Sequence, residues 1–119
     1  MTARKKQCML LLALGLAACS DKDWRQRAID NAEDRVRSEV GDPAAQFSKL
    51  GVTGNSSSGQ TCGIVIAKTA GGFEQFARFI AYIDGAGPYL DKGLGAHPIT
   101  QSKFDFAWEN DCLKEGYNG

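Results

Sequence analysis

Cys8, Cys19, Cys62, Cys112 and His97 are the side chains of this 119-residue chain best suited to do chemistry. A thiol beside an imidazole is a nucleophile with its base, and two thiols with an imidazole supply three metal ligands. The spacing supports neither. No Cys-x-x-Cys is present, and His97 is the only histidine, whereas zinc sites draw their ligands in closely spaced pairs. Asp84, Asp91, Asp105, Glu109 and Asp111 form a second set that could supply a general acid and base. They are better read as turn residues, caps and solvated helix positions. The glycines between Lys92 and Pro98 lack Gly-x-Gly-x-x-Gly or P-loop spacing, so they are no phosphate cradle. The expectation is a protein that is not an enzyme, with no catalytic residue, metal ligand or cofactor.

The N-terminal segment bears on location. Arg4, Lys5 and Lys6 precede an apolar run from Cys8 to about Leu16, and Ala17 and Ala18 follow it. Basic start, apolar middle and small residues are the order of a secretory signal peptide. A membrane span needs on the order of 20 apolar residues, and this run is about half that. Leu16-Ala17-Ala18-Cys19 also resembles the lipobox of bacterial lipoproteins. That resemblance implies cleavage before Cys19 and lipidation of Cys19 through its sulfur. Residues 1–18 are then a cleaved signal peptide, 19–23 a lipidated N-terminus with a short tether, and 24–119 one small domain. Ser20, in place of an aspartate after the cysteine, implies the periplasmic face of the outer membrane. The partners expected are the membrane, through the anchor, and an envelope protein.

With Cys8 removed and Cys19 lipidated, Cys62 and Cys112 remain as a pair in an oxidising compartment, where a disulfide is expected. Loss of Arg4, Lys5 and Lys6 reduces 14 basic residues to 11 against 14 acidic ones. That balance of −3 argues against nucleic acid as a partner. About 100 mature residues make one domain whose core is marginal without a staple.

The elements that must position these cysteines are legible in the patterning. Trp24, Ala28, Ile29, Ala32, Val36 and Val40 recur at helical spacing, with Asp23 as N-cap, Gln26 completing a capping-box pattern, and Gly41 ending the helix. Phe47 to Thr53 reads as a first strand and Gln60 to Lys68 as a second, on which Cys62, Ile64 and Ile66 share a face. Phe73 to Asp84 is the strongest strand pattern. Ala77, Phe79, Ala81 and Ile83 form its core face, and Phe76, Arg78, Ile80 and Tyr82 form the other, which the N-terminal helix is expected to cover. If uncovered, Phe76, Ile80 and Tyr82, with Tyr89, would be a partner contact. Tyr89-Leu90 is a short last strand. Ser102 is the expected N-cap of a final helix that reaches about Glu115 and carries Phe104, Trp108 and Cys112 on one side. The fold class is α+β: a helix, a small antiparallel sheet of three to four strands, and a C-terminal helix packed on the sheet and joined to it by one disulfide.

Asp42-Pro43-Ala44-Ala45-Gln46-Phe47, Cys62-Gly63-Ile64-Val65, Gly71-Gly72-Phe73 with Phe79-Ile80, and Phe104, Trp108 and Cys112 together resemble an uncharacterised family of small bacterial envelope and phage-associated proteins. The resemblance implies a shared fold and carries no established activity; Ile66 and Thr69 stand where that family usually has asparagines. The expected function is a non-catalytic binding or envelope-accessory module. The alternative is a protein inhibitor of a periplasmic hydrolase such as a lysozyme, with Tyr89, Asp91, Lys92 and His97 as its loop contacts.

Overall fold

Helix α1 (Trp24–Val40) starts where its capping chemistry lies: the Asp23 carboxylate accepts a hydrogen bond from the Gln26 backbone N–H at 3.0 Å. Only half of the expected capping box forms, because the Gln26 side chain donates to Asp30, one turn on. At the other end Gly41 adopts φ 69°, a left-handed conformation that costs glycine nothing. Asp42 then bridges helix and sheet, accepting from Ala44 N–H and, at 2.9 Å, from Lys68 N–H. These two bonds, the one to Lys68 first, hold its carboxyl below the ordinary 3.8.

The computed structural model describes residues 23–68 and 72–119. The expected signal peptide 1–18, Cys19 and the tether up to Lys22 lie outside them. Strands β1 (Gln46–Thr53), β2 (Gln60–Lys68), β3 (Glu74–Tyr82) and β4 (Tyr89–Leu90) form one antiparallel sheet in the order β1-β2-β3-β4. A bulge between Ser48 and Gly51 interrupts β1, with Lys49 at φ 55°. A short 3-10 turn, Asp91–Gly93, leads toward helix α2 (Gln101–Ala107), which continues as a π-helical turn at Trp108–Leu113. Among the described residues no helix is long and apolar enough to cross a membrane. The α+β expectation thus describes the molecule.

Both faces of the sheet are covered, but not as expected. Ala32 and Val36 of α1 pack with Val65, Ala67, Ala77, Phe79 and Ala81. Helix α2 and its π turn lie on the opposite face, where Phe104, Trp108 and Cys112 pack with Cys62 and Ile80. The N-terminal helix therefore covers the alanine side of β3, not the side of Arg78, Ile80 and Tyr82. Register explains the exchange: Cys62 and Ile80 are direct cross-strand partners and share a face. The segment bonded to Cys62 must lie over Ile80.

Two local details differ from the expectation. Thr100, not Ser102, caps α2, accepting from Lys103 N–H at 3.2 Å. The π turn, marked by the Lys114 N–H to Glu109 carbonyl bond, leaves the Asp111 carbonyl to accept from both Thr53 Oγ1 and Gln60 Nε2, at 2.8 and 2.7 Å. The C-terminal helix is thereby bonded to β1 and β2 at the level of the bridge.

Candidate functional site

Cys62 and Cys112 form a disulfide with an S–S distance of 2.05 Å and a Cα–Cα distance of 6.2 Å, both cysteines being fully buried. Among the described residues no cluster of His, Cys, Asp or Glu could hold a metal ion.

The four aromatic and aliphatic residues expected as a partner contact do not form one surface. Phe76 is 57% exposed, whereas Ile80 is 0% exposed beneath the C-terminal helix. Tyr82 is half-buried, and its hydroxyl donates to Asp111 Oδ2 at 2.5 Å; burial first and this bond second push the phenol above its ordinary 10.0. Tyr89 packs edge-on against Tyr82 and His97. The correction has a simple cause: the face of β3 that carries Ile80 and Tyr82 is the one the disulfide closes.

The residues considered for inhibitor contacts are also engaged within the domain. Asp91 is 4% exposed and accepts from Arg78 Nε at 2.8 Å. Lys92 Nζ donates to the Phe76 carbonyl at 3.0 Å. His97 Nδ1 lies 2.7 Å from the largely buried Glu39 carboxylate, which ties the 92–98 loop to α1. Of the other carboxylates, Asp84 accepts from Ala86 N–H within its own turn and Asp105 pairs with Arg78 Nη2 at 2.7 Å. The Arg78 bond, then one from Gln101, hold the Asp105 carboxyl below the ordinary 3.8. Glu109 is exposed on the outside of the π turn. Asp91 and Asp105 thus meet at one guanidinium, while Asp84 sits in its own turn and Asp111 accepts from Tyr82.

Arg78 organises a concavity on the α2 side of the sheet. Its guanidinium, fixed by Asp91 and Asp105, lies 5.1 Å from the Phe104 ring centroid and 5.3 Å from that of Trp108. Beside it a groove of 610 Å³ crosses the sheet, with Ile64, Trp108 and Tyr117 on its floor, Lys49 at one end, and Phe76 and Lys92 at the other. Tyr117 reaches the floor because Gly51 has no side chain: a Cβ there would stand 2.9 Å from the Tyr117 ring. The Tyr117 hydroxyl donates to the Lys49 carbonyl at 2.8 Å, which fixes the bulge.

A smaller cavity of 330 Å³ lies beside the first turns of α1, lined by Trp24, Arg35, Ser56 and Ala81 among others. It places the start of α1 beside Ser56. Arg35 closes this end by donating to the carbonyls of Tyr82, Gly85 and Ala86 at 2.8 to 3.1 Å.

The chain matches no protein-family profile, no curated protein and no solved structure. Lys49, Ile64, Trp108 and Tyr117 carry no sequence signal that marks them as groove residues. Arg78 carried a usable signal, since a charge in the middle of an apolar strand must find a buried partner or an edge.

Proposed function

We propose that this chain is a lipid-anchored protein of the bacterial cell envelope, held through Cys19 at the periplasmic face of the outer membrane, and that it works as a non-catalytic binding or envelope-accessory module. The observation that carries the reading is the Cys62–Cys112 disulfide. Such bonds persist in oxidising compartments, which agrees with the export implied by Arg4 to Cys19. Helix α1 begins at Trp24, so only Ser20 to Asp23 separate it from Cys19. Four residues span at most about 14 Å, which keeps the 54–59 end of the sheet close to the bilayer. The placement of the carboxylates in ion pairs, turns and caps supports binding over catalysis. The inhibitor alternative gains nothing from the geometry, because Asp91 is committed to Arg78 and His97 to Glu39, while Lys92 bonds only to a neutral carbonyl.

The test is metabolic labelling with a fatty acid, followed by membrane fractionation, of the wild type and of Cys19→Ala. The wild type should incorporate label and sediment with outer membranes, while the variant should incorporate none and remain as uncleaved precursor. Equal labelling of the two would remove the anchor from the proposal.

A further inference from the structure

We propose that the groove across the α2 side of the sheet is the site at which this module binds an extended acidic peptide segment of an envelope partner, with two carboxylates about four residues apart and an apolar side chain between them. The charges set this pattern. Arg78 lies in the groove, but Asp91 and Asp105 already neutralise it. Lys49 and Lys92 are exposed, and neither is in an ion pair among the described residues. Asp91, the one acidic side chain on the lining, is the carboxylate committed to Arg78. The groove therefore offers two available cations at its ends and an apolar floor between them.

The sheet supplies the ruler. Lys49 sits in β1 and Lys92 just after β4, so three strand spacings separate their backbones, about 14 Å, and Lys92 Nζ reaches back to the Phe76 carbonyl of β3. An extended chain advances about 3.3 to 3.4 Å per residue, so carboxylates at positions i and i+4 fall opposite the two lysines, on the same face of the peptide. The side chain at i+2 then points at Ile64, Trp108 and Tyr117, and the exposed ring of Phe76 walls it in.

Placement argues against the bilayer as the occupant. Helix α1 begins beside Ser56 and ends where Asp42 holds Lys68 N–H, and its 17 residues span about 26 Å. Phe76 pairs with Ile66, near the Lys68 end of β2. The groove thus crosses the middle of the sheet at Ile64 and Arg78, with Phe76 on the half remote from the start of α1.

The test uses the full-length lipidated protein in nanodiscs of uncharged lipid, and anisotropy of a labelled pentapeptide of sequence Glu-Thr-Leu-Thr-Glu. Binding should saturate, and Lys49→Glu and Lys92→Glu should each weaken it about fivefold, as expected for losing an exposed ion pair and meeting a like charge. A peptide with one terminal Glu changed to Lys should bind Lys49→Glu better than it binds wild type. The inference is overturned if no binding is seen at millimolar peptide, if both reversals leave affinity unchanged, if anionic vesicles rather than peptide are retained through the lysines, or if the same variants abolish self-association instead. The inference rests on the binding-module reading, but the two fail separately: a negative anisotropy result with normal fatty-acid labelling removes the peptide and leaves the anchor.

Discussion

Removing the Cys62–Cys112 bridge is the perturbation whose size follows most directly from the architecture. The two cysteines are 50 residues apart, and releasing a loop of that length returns about 4 kcal/mol of conformational entropy to the unfolded chain. Both sulfurs are fully buried, so replacing them by alanine adds a small cavity cost of about 1 kcal/mol. The sum approaches the lower end of the roughly 5 to 15 kcal/mol that holds a typical domain together. Cys62→Ala/Cys112→Ala should therefore unfold in urea at a midpoint about 2 M or more below that of the wild type, taking a slope of about 2 kcal/mol per M. Tryptophan fluorescence suits the measurement, because Trp108 stacks on Phe104 and meets Tyr117 edge-on in the cluster that contains the bridge. Coincident midpoints for the two proteins would refute the reasoning, since the loop entropy would then be offset by structure retained in the reduced unfolded chain.

Two predictions concern Arg78. Arg78→Met should cost about 2 kcal/mol in the same urea assay; breaking a buried pair costs about 3 to 5 kcal/mol, and the partial exposure of Arg78 reduces that. Arg78→Met/Asp91→Leu should recover part of the loss, because no buried carboxylate is then left unpaired. In an NMR titration the Asp105 carboxyl should titrate below 3.8 in the wild type and return toward that value in Arg78→Met. Its folded pKa lies below the unfolded one, so this contribution to stability is whole above about pH 4 and is lost as pH falls through the lowered value.

The elements were legible because each carries a local signal. Asp23 and Gly41 bracket α1, and Cys62-Gly63-Ile64-Val65-Ile66 alternates as a strand must. The side on which each helix lies was not local information. Alternation along β3 says that two faces exist, and only the register Cys62↔Ile80 says which one the C-terminal helix takes. The Thr100 cap was missed because Thr100 and Ser102 are both good caps and the choice depends on where the preceding loop delivers the chain. Nothing in Trp108-Glu109-Asn110-Asp111-Cys112-Leu113 announces a π turn. That turn goes with the Asp111 carbonyl bonds to Thr53 and Gln60, which are tertiary. The groove was illegible for a related reason: Lys49 owes its position to a β-bulge and Tyr117 to the missing side chain of Gly51, neither of which has a periodicity to read.

The two helices that sandwich the sheet are fastened by different means. The second is welded to β2 through sulfur, while α1 is held by the packing of Ala32 and Val36, the three Arg35 bonds to the turn after β3, and the Glu39 and Asp42 contacts. If the N-terminus is tied to a membrane, pulling the domain away from it loads α1 first. The load runs along the helix and the strands beneath it, so these contacts are sheared together, in parallel, rather than peeled one after another. The domain is built as a lap joint on its α1 side and as a rivet on the other.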